Sequence, residues 1–157
     1  MKLVRLGSFL TLAAALSVTS CQSSKPGSSS HAAVEIKGHS SGEIQTTTTV
    51  VFAEKGFTLR TNTPTMMLFD RAATSGEKVK YGDWLNEGML MQVKVRLQSE
   101  PDDCYLLRAD VYSVQDPNNP TFREEKRLML LGSSYYQKML DDVSNRLKFS
   151  PVNQTAR

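Results

Sequence analysis

Met89-Leu90-Met91-Gln92-Val93-Lys94-Val95-Arg96-Leu97-Gln98 decides the fold. Met91, Val93, Val95 and Leu97 alternate with Gln92, Lys94, Arg96 and Gln98. Successive side chains of a strand point to opposite faces, so this strand has one apolar face and one polar face. Such a strand belongs in an antiparallel sheet with one side buried and the other in water. Glu100-Pro101-Asp102-Asp103 supplies turn chemistry. Tyr105 to Val114 then answers with the same period, Leu107, Ala109 and Val111 inward, Arg108, Asp110 and Tyr112 outward. Pairing the two segments sets Lys94 and Arg96 against Asp110, a modest cross-strand attraction.

Upstream, Phe57-Thr58-Leu59-Arg60 alternates and Met66-Met67-Leu68-Phe69 is apolar on both sides. Asn62-Thr63-Pro64 lies between them as a turn, which makes a hairpin. Ser40-Ser41-Gly42-Glu43 matches a capping box. Ile44, Thr47, Thr48 and Val51 follow at helical spacing, and Gly56 with Phe57 behind it fits a Schellman end. The β-branched run Thr46–Val51 prefers strand, but caps at both ends predict a helix. Residues 72–87 read as a polar loop carrying Tyr81, Asp83, Trp84, Leu85 and Asn86.

Downstream, Gln115-Asp116-Pro117-Asn118-Asn119-Pro120 is a loop by composition. Phe122 to Leu131 fits a helix through Glu124, Glu125, Lys126 and Arg127, or an edge strand through Arg127-Leu128-Met129-Leu130. Ser134 and Gln137 suggest another capping box. Tyr136, Met139, Leu140, Val143 and Leu147 then mark one helical face. Pro151 bars further helix. The order predicts an α+β fold, a roughly four-stranded antiparallel meander sheet with an N-terminal and a C-terminal helix packed on one face. No helix of the βαβ kind separates successive strands, so a parallel sheet is not expected.

The chain begins differently. Lys2 and Arg5 precede an apolar run, Leu6 to Val18, and then Val18-Thr19-Ser20-Cys21. The run is shorter than the roughly 20 residues a bilayer-spanning helix needs. Positive start, short apolar stretch, and an aliphatic and two small residues before a cysteine together resemble the lipobox of bacterial lipoproteins. The resemblance implies acylation of Cys21 by a diacylglyceryl group and an amide-linked chain, with the membrane held through those chains. Gln22 stands where an Asp commonly retains such proteins in the inner membrane. The resemblance therefore implies an outer-membrane anchor facing the periplasm. The other readings of the same segment are an ordinary secretory peptide, with Cys21 as a free or disulfide-paired thiol, and a true transmembrane anchor.

Gln22-Ser-Ser-Lys-Pro-Gly-Ser-Ser-Ser-His31 contains no apolar residue, and such a composition predicts a disordered tether. Ala33-Val34-Glu35-Ile36-Lys37 fits either an edge strand or more tether. The organisation expected is a signal peptide over 1–20, acylated cysteine and tether over 21–40, one α+β domain over 41–150, and a frayed tail over 151–157. Beyond the lipobox, the plan is similar to small periplasmic lipoproteins that serve outer-membrane assembly machines. That likeness carries over no partner-binding residue.

Charge and residue inventory bound the function. The chain has 19 Lys+Arg against 16 Asp+Glu, a formal +3. Removing Lys2 and Arg5 leaves 17 against 16, so a nucleic-acid surface is not expected. The two histidines, His31 and His39, lie in or beside the tether, and a mobile imidazole is a poor base for a nucleophile. Asp102-Asp103, Glu124-Glu125 and Asp141-Asp142 read as turn, loop edge and solvated helix side rather than ligands or catalysts. With Cys21 acylated, Cys104 is expected to be buried and inert, or else exposed and open to an intermolecular bond. No enzyme activity, cofactor or metal is predicted.

Two groups are candidates for contacting an envelope protein partner. Tyr81 and Trp84 lie in the 72–87 loop, where Trp84 either anchors a partner or folds back over the core. Arg96, Arg108 and Tyr112 lie on the polar sheet face. The leading expectation is a non-catalytic, lipid-anchored interaction or accessory module. The alternative is a small apolar-ligand binder with a cavity between sheet and helices, lined by Met66, Met67, Met89 and Met91.

Overall fold

A computed structural model of the chain describes residues 31–81, 88–128 and 133–149. Its elements are β1 (Ala32–Lys37), α1 (Ser41–Glu54), β2 (Thr58–Thr63), β3 (Met66–Ala72), α2 (Ser75–Tyr81), β4 (Leu90–Glu100), β5 (Cys104–Gln115), β6 (Glu124–Arg127) and α3 (Ser133–Phe149). The fold is α+β, with an antiparallel sheet and three helices among the described residues.

The expected four-strand meander is present as β2-β3-β4-β5, each strand pairing antiparallel with the next. The sheet is larger than four strands. β1 and β6 both pair with β5 on its remaining side, β1 along Cys104–Ala109 and β6 along Tyr112–Gln115. β1 occupies residues that a boundary at 40/41 leaves with the tether. β6 makes Glu124–Arg127, the residues that suited a helix, a strand, while 129–131 lie outside the described residues. Both additions are short and gain their hydrogen bonds from a partner distant in sequence.

α1 forms because its ends are closed. The Ser40 hydroxyl accepts from the Glu43 backbone N–H at 3.3 Å, and the Glu43 carboxylate accepts from the Ser40 N–H at 2.8 Å. At the other end Gly56 takes φ +81°, Gly56 N–H donates to the Ala53 carbonyl at 2.9 Å and Phe57 N–H to the Phe52 carbonyl at 3.0 Å. These are the two bonds of a Schellman end. Glycine accepts this left-handed conformation without a Cβ clash. The β-branched run stays helical, and Thr48 and Thr49 return their hydroxyls to the carbonyls of Ile44 and Gln45 at 2.7 and 2.8 Å.

The core joins Met91, Val93, Val95 and Leu97 of β4 with Leu107, Ala109 and Val111 of β5, as the alternation requires. Ile44, Val51 and Phe52 of α1 and Tyr136, Met139, Leu140, Val143 and Leu147 of α3 belong to the same cluster. The stripe read on α3 is thus buried throughout. Its start differs from expectation, because Ser134 lies inside the helix rather than capping it. Gln137 instead clamps β1: its side-chain oxygen accepts from Ala33 N–H at 3.1 Å and its NH₂ donates to the Ala33 carbonyl at 2.8 Å. The second face of the sheet is not simply wet. Asp110 is 2% exposed and Gln92 6% exposed, and Cys104, Leu106 and Val114 on the same side of β5 are buried too. Alternation reports polarity, whereas a polar group can leave water once its partners are in place.

Candidate functional site

On that second face, β4, β5 and β6 bring charged side chains together. Arg96 has Arg108 as its cross-strand partner, Lys94 has Asp110, and Tyr112 lies between Gln92 and Arg127. The buried Asp110 carboxylate accepts from Arg96 Nη2 at 2.6 Å and from Arg127 Nη2. Two like charges opposite each other, Arg96 and Arg108, are unfavourable by themselves, and the carboxylate beside them offsets this. Lys94 Nζ bonds Glu125 Oε1 and stands 4.2 Å from the centre of the Tyr112 ring. Arg108 Nε is buried without a hydrogen-bond partner among the described residues. At β3, Arg60 Nε donates to both oxygens of Asp70, at 2.8 and 2.9 Å.

Arg96, Arg108 and Tyr112 therefore share one face of the sheet, Arg96 opposite Arg108 and Tyr112 beyond Asp110. The attraction between Arg96 and Asp110 is present, while Lys94 turns to Glu125. Glu125 and Arg127 escaped the sequence reading because the segment carrying them was open between helix and strand. The composite surface alternates cations and carboxylates around one Tyr.

Tyr81 belongs to another place. Its neighbour Arg71 has Met91 as register partner, on the side of the sheet opposite Lys94 and Arg96. Residues 75–81 are helix α2 rather than loop, with no buried residue to give them an apolar stripe. The sequence signal that marks this helix is Thr74-Ser75-Gly76-Glu77, a second capping box. Glu77 accepts from Thr74 N–H at 2.9 Å, and Thr74 Oγ1 accepts from Glu77 N–H at 3.3 Å. The same carboxylate grips Arg71 with both oxygens, at 2.6 and 2.8 Å. The Arg71 guanidinium also lies over the Phe57 ring, 4.8 Å from its centre. Burial pushes the Glu77 pKa up, but hydrogen bonds from Arg71 and Thr74 outweigh it and leave the pKa below its ordinary value. Burial, then the charge of Glu77, raises the Tyr136 phenol far above its usual range.

A cavity of about 390 Å³ opens here, lined by Arg71, Thr74, Gly76, Glu77, Lys80, Tyr81, Tyr135 and Tyr136. A larger opening of about 530 Å³, at Asp142, Asn145, Arg146 and Phe149, carries none of the buried unpartnered atoms found among the described residues.

Trp84 and Cys21 lie outside the described residues. Cys104 is buried, as favoured. His31 corrects the picture of a mobile imidazole: the residue is buried, its backbone N–H donates to the Ala109 carbonyl at 3.0 Å, and its ring meets Tyr136 edge-on at 5.4 Å. Among the described residues, no three His, Cys, Asp or Glu side chains are grouped to hold a metal, and no helix is long and apolar enough to cross a membrane. Comparison of the chain with protein-family models, with curated proteins and with solved structures finds no match.

Proposed function

We propose that the protein is a lipid-anchored envelope lipoprotein whose domain acts, without catalysis, as an interaction or accessory module in the periplasm. The reading rests on one observation: a positive start, a short apolar run and Val18-Thr19-Ser20-Cys21, followed by a Ser/Gly/Pro tether that ends where the described domain begins at His31. An extended residue spans at most about 3.6 Å, so the tether holds the domain within about 35 Å of the lipid surface. In this reading α1 and α3 share one face of the sheet, and the Arg96–Asp110–Arg127 array with Lys94, Arg108 and Tyr112 meets an envelope protein on the other. Tyr81 then falls outside the main contact.

Each buried lipid CH₂ contributes about 0.8 kcal/mol, one chain binds reversibly, and additional chains make attachment effectively permanent. Cys21→Ala is therefore expected to move the protein from the membrane to the soluble fraction, read by fractionation and immunoblot. A variant that stays with the membranes contradicts the anchor. For the module itself, photo-crosslinking from position 112 is expected to give a discrete adduct that Arg96→Glu abolishes. An adduct unchanged by Arg96→Glu contradicts the proposed contact face.

A second reading, small-ligand binding, is favoured by the cavity at Arg71 and Tyr136. Its lining is not the methionines expected. Met67, Met89 and Met91 are fully buried in the core cluster, and neither they nor Met66 line that cavity.

A further inference from the structure

The cavity at the meeting of β3, α2 and α3 holds a contradiction that a ligand resolves. Tyr136 is 4% exposed, and its hydroxyl is buried without a hydrogen-bond partner among the described residues. Arg71 lines the same cavity, and its Nε is also buried without one. An unpartnered buried polar atom costs about 1–3 kcal/mol, and folded proteins rarely leave one so. A purely structural aromatic here is served as well by Phe, which carries no hydroxyl to satisfy.

The surroundings define what fits. Both orphaned atoms can donate, so they call for an acceptor. The Glu77 oxygens are already taken by Arg71 and Thr74, which leaves Arg71 and Glu77 as a neutral pair. Lys80 on the rim then makes the local balance positive by one charge, which suits a monoanion better than a dianion. The rings of Tyr81, Tyr135 and Tyr136 supply flat apolar walls, those of Tyr135 and Tyr136 edge-on at 5.1 Å. The volume lies within the roughly 300–1,000 Å³ of small-molecule sites.

We propose that this cavity binds a small monocarboxylate with a ring-shaped body, its carboxylate accepting from Tyr136 Oη and Arg71 Nε and its ring packed against the tyrosines. The site shares no residue with the Arg96–Arg127 array and does not depend on the lipid anchor.

The test is two-dimensional NMR of the full chain in detergent micelles, with benzoate as probe and benzamide and benzylammonium as controls. Benzoate is expected to give saturable shifts at Arg71, Glu77, Tyr81 and Tyr136, with a Kd on the order of 1 mM for a ligand of that size. Tyr136→Phe is expected to weaken benzoate about tenfold or more, since a hydrogen bond to a charged group is lost. The same variant should keep or raise Tm, because the hydroxyl it removes has no partner among the described residues. Lys80→Glu, an exposed change that leaves the core untouched, is expected to weaken benzoate severalfold, most at low salt. No saturable shift at several times the expected Kd overturns the proposal. So does benzamide or benzylammonium binding as well as benzoate, or unchanged benzoate affinity in Tyr136→Phe or in Lys80→Glu.

Discussion

Phe52→Ala is expected to lower the stability of the domain by about 3–5 kcal/mol, the cost of removing a large aromatic side chain from a packed core. Phe52 is completely buried. Its ring stacks on Phe69 with centres 4.5 Å apart and meets Phe57 edge-on at 5.6 Å. It therefore joins α1 to β3 and to the residue that closes the helix. Its backbone carbonyl keeps the Schellman bond in the variant, so the loss reports packing rather than capping. Domains of this size have about 5–15 kcal/mol in all, and the variant should be visibly unfolded at modest denaturant. Urea unfolding checks this, with the exposed Phe122→Ala as control, expected within about 0.5 kcal/mol of wild type. A loss below about 1 kcal/mol at Phe52 contradicts the packing described.

Glu77→Gln comes next, with an expected loss of about 2–3 kcal/mol at neutral pH. Breaking a buried ion pair by removing one partner costs about 3–5 kcal/mol, and this pair is not fully buried, with side chains 13% and 20% exposed. The amide can still accept at the α2 cap, but it leaves the Arg71 charge half-buried and unmatched. The pH dependence has a definite sign. The folded-state pKa of Glu77 lies below its ordinary value of 4.5, so near that pH the unfolded chain holds more protons than the folded one. The stabilisation is fully present above about pH 4.5 and is lost as pH falls through the folded pKa. Wild type and Glu77→Gln should therefore converge in acid and diverge toward neutrality. Parallel stability curves across that range contradict the role given to the ion pair.

These two sites differ in how far they can be read from residues alone. The core around Phe52 is legible because β4 and β5 alternate strictly and α1 carries caps at both ends. Local signals and tertiary packing agree there. The strands β1 and β6 are only half legible: Val34 and Ile36 share a face of β1, but so short a segment fits a tether as well, and β6 is four charged residues held by backbone bonds to β5. Leaving 122–131 open between helix and strand hid the Arg127 contact to Asp110, and with it part of the reason a charged residue on the polar face is buried. α2 was marked only by its capping box, because a helix with no buried residue has no stripe to find. The cavity was illegible for a different reason. Arg71, Glu77, Tyr81 and Tyr136 come from three elements, and no spacing rule brings them together. Tyr136 was placed correctly as core, but only the structure shows that its hydroxyl is left without a partner among the described residues.

The reading of the chain as an anchored lipoprotein stands on what happens at Cys21, and the intact mass of the native protein extracted from envelope membranes tests it most directly. The expected product starts at Cys21 and carries the added mass of a diacylglyceryl group and an amide-linked fatty chain. A product that still starts at Met1, or one that starts at residue 21 with no fatty-acyl increment, contradicts the anchor and the compartment inferred from it.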